Sequence, residues 1–307
     1  MENCTGNFST TRSSVRTLPE GLAEVFAALN IFLSMTASLG NALILIALHK
    51  VTSVHPPTKL LFRCLAFTDL CVGLITQPLF ATRVVLNNVT KMKWDILYYV
   101  EVISVDSSII LCNMSIFTST AISVDRLLAL LLGLRYRQVV TLRRVYVLII
   151  CFWLTCTAIV FMNNFWDGGF SLFVGVGLGA LSLVISIFSY TRIFFKLRQQ
   201  QAQVQGLYQG QPNGEGIPLN TARYKKTVSS IAWLQLALVA CYVPFNISFA
   251  SIVITGWNGM NANIVWVSTG TLLYLNSSLN PILYCWKIKE VRQAVKDTVR
   301  KFCCSSS

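Results

Sequence analysis

The chain has 307 residues, of which 54% are hydrophobic and only 12% charged, and its net charge is +13. Soluble domains carry about 25% charged residues, so this composition excludes an ordinary soluble protein. Its two histidines, His49 and His55, share one predicted loop. With no metal-ligand cluster and no nucleophile–base pair in view, an enzyme is not expected.

Seven apolar stretches, nearly free of charge in their middles, run over 22–48, 60–82, 97–125, 145–166, 170–191, 227–255 and 262–286. Each is long enough to cross a hydrocarbon core of about 30 Å as a helix of about 20 residues. In lipid the backbone must satisfy its own hydrogen bonds, so these stretches are predicted to be helices. The fold class expected is an all-α membrane protein, a seven-helix bundle over 22–286. A tail over 1–21 precedes it, and an amphipathic helix with a cytosolic tail follows over 287–307.

The tail is polar and lacks an apolar core, so no cleavable signal is read and the first span serves as its own anchor. Asn3 and Asn7 head glycosylation sequons in it, and Cys4 is the one cysteine expected outside, which leaves no partner for an intramolecular outer disulfide. Loops after spans 1, 3 and 5 and the C-terminal segment hold twenty Lys and Arg, against five on the other side. The positive-inside rule then places the N-terminus outside. The basic excess is an orientation device facing anionic membrane lipid, not a nucleic-acid site.

Along the spans, polar residues are few and therefore informative. Span 2 carries Asp69 mid-membrane, where a charge is costly and usually functional. Asn41, Ser115, Asn276, Ser277 and Asn280 lie at similar depth on three other spans, and the set offers hard oxygen ligands for a small cation. A network that merely joins helices is the other reading. Span 3 bears Glu101, Asp106 and Ser108 near its outer end and closes on Asp125-Arg126. At that position Arg126 could simply snorkel toward the interface. Five glycines between 168 and 179 make span 5 the weakest helix, and the Gln- and Gly-rich stretch 199–220 after it reads as a flexible loop. Pro244 should kink span 6. After span 7, Ile288, Val291, Val295 and Val299 share one helix face, fit to lie on the inner leaflet, and Cys303 and Cys304 are palmitoylation candidates.

Span 7 ends Asn280-Pro281-Ile282-Leu283-Tyr284 and span 3 ends Asp125-Arg126-Leu127. Gly40-Asn41, Leu65 through Asp69, Trp153, Tyr190 and Cys241-Tyr242-Val243-Pro244 follow in the matching spans. Taken together, these motifs resemble the rhodopsin-like (class A) G-protein-coupled receptors over essentially the whole chain. The resemblance implies a plasma-membrane receptor that binds an extracellular ligand and activates a heterotrimeric G protein, with arrestin as a further partner. It implies Na⁺ at Asp69 as an allosteric ion, and no other cofactor. It also implies a switch made of Asp125, Arg126, Tyr190, Tyr242, Pro244, Pro281 and Tyr284. Span 7 has no lysine between 262 and 286, so retinal is not expected.

Departures from the family refine the expectation. The usual span-3 cysteine is Glu101, span 5 has Ser182 where its proline would be, and the outer loop at about 163–171 is short and lacks cysteine. In these respects the chain is similar to the melanocortin, lysophospholipid and cannabinoid receptor group. An acidic partner for Arg126 at the base of span 6 is missing, the matching residues being Tyr224, Lys225 and Lys226. Ser108 stands where amine receptors carry aspartate. Glu101, Asp106, Asp95 and Asp167 make an acidic mouth that favours a cationic peptide or small molecule, or a Ca²⁺-assisted ligand, although Glu101 could merely face water. Phe245, Phe249, Trp266 and Tyr274 are candidates for an aromatic pocket. A small transporter or channel using Asp69 as coupling site is the alternative from another class, weakened by the lack of an internal repeat.

Overall fold

The structure is a computed structural model and describes residues 18–19, 21–51, 54–88, 94–165, 168–208, 217–287 and 289–304. Eight long helices make up the described chain, which contains no strand. They are α1 (Leu22–Lys50), α2 (Pro56–Asn88), α3 (Trp94–Leu132), α4 (Leu142–Phe165), α5 (Gly168–Tyr208), α6 (Ile217–Thr255), α7 (Met260–Lys287) and α8 (Lys289–Cys304). Between α3 and α4 the chain makes a 3₁₀ turn (Gly133–Arg135) and one helical turn (Tyr136–Val139). The end of the bundle bearing Leu22 and Asn88 is the outer end of the predicted topology, and is called so below.

The helices close a ring. α1 lies on α2 and α7, α3 sits against α2, α4 and α5, and α6 joins α5 to α7. Six of the helices are apolar and long enough to cross a membrane by hydropathy alone. α7 is the seventh. Its polar residues Thr269, Thr271, Asn276, Ser277, Ser278 and Asn280 are all buried, while Leu272, Ile282 and Trp286 face outward. Polarity in α7 is therefore spent inside the bundle, where side chains can bond across helices.

Small residues set the closest helix contacts. A Cβ on Gly40 would sit 2.9 Å from the Pro281 ring, and one on Gly73 would sit 2.6 Å from Ser38 Oγ and 2.9 Å from the Ser38 backbone nitrogen. Ser34 Oγ donates to the Gly73 carbonyl at 2.6 Å, tying α1 to α2 at that point. Here α2 widens into a π-helical turn (Val72–Thr76), where the Gln77 N–H reaches back to the Val72 carbonyl. The physical reason is Pro78, which cannot donate to Leu74 and whose ring would clash with that carbonyl in α-geometry. One extra residue turns the rest of α2 by about 100°, which decides what Phe80 and Arg83 face.

α5 forms as expected across its glycines and runs on farther than expected. The glycines do not break it: Gly175 and Gly179 are buried, with Ile159 of α4 and Asn113 of α3 in ordinary contact with the positions their Cβ atoms would take. The predicted loop 199–220 is also shorter, because α5 continues to Tyr208 and α6 begins at Ile217. Gln and Ala, which fill 199–203, are good helix formers, so a low-complexity run here extends the helix instead of making a linker.

α8 docks on the inner end of α1. Ala294 and Val295 pack against the cluster of Ile44, Ala47 and Leu48, and Lys50 Nζ donates to Thr298 Oγ1 at 2.8 Å. Asn3, Cys4, Asn7 and Asp167 lie outside the described residues. So do the side chains of Ile288, Val291, Val299, Cys303, Cys304, Tyr224, Lys225 and Lys226.

Candidate functional site

Asp69 is 0% exposed and joins three helices. Its Oδ1 accepts from Ser115 Oγ of α3 at 3.0 Å and from Ser277 Oγ of α7 at 2.7 Å. Its Oδ2 accepts from Asn280 Nδ2 at 2.6 Å. Hydrogen bonds to a carboxylate are stronger than neutral ones, and three of them answer the demand of a desolvated acid. Four of the six residues expected to gather here do so.

The other two stand one step back. Asn41 Nδ2 donates to the Ala37 and Ser277 carbonyls, at 2.9 and 3.0 Å, and so props α7 instead of touching Asp69. Asn276 is buried one turn from Asn280, yet its Nδ2 has no hydrogen-bond partner among the described residues. For a hard cation, the Asp69 carboxylate and the Ser115 and Ser277 hydroxyls form a suitable oxygen set. Asn280 as placed offers its amide nitrogen, so it serves the carboxylate and not an ion.

At the inner end, Asp125 is buried and accepts from Tyr136 OH at 2.6 Å and Thr58 Oγ1 at 2.9 Å. Arg126, its neighbour, keeps Nε 3.8 Å from the same carboxylate and remains about half exposed. Its guanidinium lies 5.7 Å from the centre of the Phe62 ring, and Phe62 meets Tyr284 edge-on at 5.2 Å. Arg126 is thus linked to α7 through an aromatic pair. Thr58, Phe62 and Tyr136 were not among the expected site residues. Tyr190 is half-buried on α5, one turn past Ser186, whose hydroxyl lies 3.0 Å from that of Ser123 on α3.

Between the two ends, Tyr242 is buried and donates from its OH to the Cys112 carbonyl at 3.2 Å. Pro244 lies two residues on within α6 and cannot donate to Ala240. Asn246 Nδ2 covers the Tyr242 carbonyl at 2.8 Å, reinforcing the helix beside the proline.

Tyr242 also forms the floor of an outer cavity of about 120 Å³. Ser108, Phe245, Phe249, Trp266 and Tyr274 line it as expected, joined by Phe80, Arg83, Asn113 and Asn246. Trp266 stacks at a tilt on Phe245 at 5.1 Å, and Tyr274 meets Phe80 edge-on at 5.1 Å. Ser108 Oγ donates to the Ser104 carbonyl at 2.6 Å and lies 2.8 Å from Tyr274 OH.

Asp106 and Glu101 are not among the residues that line this cavity. Asp106 is two residues from Ser108, hence on the opposite side of α3, where Asn164 of α4 donates to its Oδ2 at 2.9 Å. Glu101 lies farther out and is paired with Arg83 of α2 at 3.6 Å. Arg83 was legible only as one of five outer basic residues. Its signal was a lone arginine in an apolar half-span, three residues after Phe80.

The profile of the seven-transmembrane receptors of the rhodopsin family matches residues 40–171 and 160–284. Trace amine-associated receptor 1 of Macaca mulatta is 24% identical over 300 residues, covering 85% of this chain and 83% of the relative. The histamine H2 receptor of Homo sapiens is 24% identical over 291 residues, covering 86% and 76%. Adenosine receptor A3 of Bos taurus is 25% identical over 303 residues, covering 89% of each.

Proposed function

The chain belongs to the seven-transmembrane receptors of the rhodopsin family, and on that premise we propose that it lies in the plasma membrane with its N-terminus outside, binds an extracellular ligand in the outer cavity and activates a heterotrimeric G protein. The observation that carries this reading is a series of polar and aromatic contacts joined through the turns of α3 and α7. It runs from the cavity floor at Tyr242, through the Cys112 carbonyl of α3, past Ser115 to Asp69. From Asp69 it continues along α7, through Ser277 and Asn280, to Tyr284, Phe62 and Arg126.

A ligand in the cavity presses on Tyr242 two residues before the Pro244 break, so α6 is where displacement starts. Outward swing of a proline-hinged helix is one of the known switching motions. Asp69 holds α3 and α7 together across the middle, so a change at α6 that reaches Arg126 by way of α7 must remake that junction. Asp69, Ser115 and Ser277 would hold Na⁺, which when bound supplies a positive charge against the Asp69 carboxylate. Ligand binding and ion binding at linked sites must then affect each other equally.

Arg126, half exposed at the inner end, is the group that meets the G protein, and arrestin competes for the same face. Glycans at Asn3 and Asn7 and palmitate at Cys303 and Cys304 complete the proposal. No observation favours a transporter. The test is guanine-nucleotide exchange by purified heterotrimers of each class on the receptor in lipid nanodiscs. Exchange above the empty-nanodisc rate with at least one class, lost in Arg126→Ala, is expected. Absence of exchange with every class, while the protein remains folded, would overturn the reading.

A further inference from the structure

The outer cavity has an apolar and aromatic wall and, among the described residues, a single charged one, Arg83. The Arg83 side chain is only 12% exposed, and a guanidinium so far removed from water needs a counter-charge. Glu101 provides it from the rim. It does so at 3.6 Å through one nitrogen, with its own side chain 38% exposed. That is a loose pairing for a group built to donate two parallel hydrogen bonds to a carboxylate.

Among the described residues, no carboxylate lines the cavity. Asp106 is turned to Asn164, and Ser108 is committed to Ser104 and Tyr274. An ammonium group would meet Arg83 as a like charge in an apolar setting. A carboxylate would meet its complement there, on the arm of α2 that the π-helical turn has rotated. The space is compact, at about 120 Å³. It suits a compact apolar body against Phe245 and Trp266.

We propose that the ligand is a small apolar carboxylic acid bound as its carboxylate, with Arg83 as its counter-ion and Glu101 as the intramolecular competitor that it displaces. The proposal rests on the receptor reading above only in taking this cavity as the ligand site, and it replaces the cationic ligand expected from the acidic mouth. Its distinguishing consequence is a sign. Removing the Glu101 charge frees Arg83 and strengthens binding of an acid, whereas it would weaken binding of a cation.

The test uses the full chain in nanodiscs and matched probes: phenylacetate, phenethylamine and methyl phenylacetate, then indole-3-acetate, tryptamine and the methyl ester. Direct binding is measured by thermal unfolding midpoint and by titration. The acids should raise the midpoint and the amines and esters should not. Glu101→Gln should tighten acid binding by threefold or more, Arg83→Gln should weaken it at least tenfold, and Arg83→Lys should fall between. Should Arg83→Gln fail to fold, the sign for Glu101→Gln decides. Preference for the amines, weaker acid binding in Glu101→Gln, or binding of neither class by folded protein would each overturn the proposal. Nucleotide exchange is read separately. Acid binding without any effect on exchange supports the site while overturning the coupling, and exchange without acid binding does the reverse.

Discussion

Arg126 holds its guanidinium 5.7 Å from the centre of the Phe62 ring, while the carboxylate of its sequence neighbour Asp125 is occupied by two hydroxyl donors from elsewhere. The arginine at the inner end is therefore restrained by an aromatic face at least as much as by an acid. A cation–π contact at a partly exposed site is worth about 0.5–1 kcal/mol. Phe62→Leu keeps an apolar side chain and removes that contact. Basal nucleotide exchange should rise by about twofold to fivefold, measured on purified G protein. An unchanged rate would show that the ring does not restrain Arg126.

Tyr136 gives a prediction of opposite sign. Its hydroxyl is a donor to Asp125 at 2.6 Å. Tyr136→Phe leaves Thr58 as the sole hydroxyl donor to the carboxylate, costs about 1 kcal/mol, and leaves Asp125 with more demand for Arg126. Basal exchange should fall below wild type and the unfolding midpoint should drop slightly. A rise in exchange would mean that the Tyr136 bond orders the inner loop and does not compete with Arg126.

Glycines on facing and open surfaces should behave differently. Gly73→Ala brings a Cβ against the backbone of Ser38 and Ser34, which cannot yield as a side chain could. It should lower the unfolding midpoint and reduce surface expression. Gly177 has nothing within 4 Å of its Cβ position, so Gly177→Ala should be neutral or gain up to about 1 kcal/mol from helix propensity. Equal effects of the two substitutions would show that α1 and α2 are not held by close approach.

The helices were legible because membrane length and lack of charge are hard to hide, and Asp69 was legible because a mid-membrane carboxylate has few reasons to be there. Ser115, Ser277 and Asn280 followed from depth alone. Asn41 did not, because depth does not say whether a side chain reaches an acid or a nearby carbonyl. Arg83 and Glu101 show the larger gap. Arg83 counts in the sequence only as a charge on one side of the membrane and Glu101 as part of an acidic mouth, and their pairing depends on an extra residue in one turn of α2, which hydrophobic periodicity does not reveal. The acidic mouth was a sum of charges; the cavity wall is a matter of helix rotation. α5 was cut short for a related reason, since a glutamine-rich run has the same composition whether it is helical or not.

The account turns on Asp69 as the junction through which the cavity reaches Arg126, and sodium dependence addresses it most directly. Basal nucleotide exchange on a purified heterotrimer is measured as Na⁺ replaces choline at constant ionic strength, for wild type and for Asp69→Asn in nanodiscs. Ion binding that favours the resting form must lower exchange by linkage. Wild type should lose activity as Na⁺ rises, and Asp69→Asn, folded and inserted, should show no such loss. A sodium response that is the same in Asp69→Asn as in wild type, or absent from both, would contradict the account and leave Asp69 as a residue that only holds helices together.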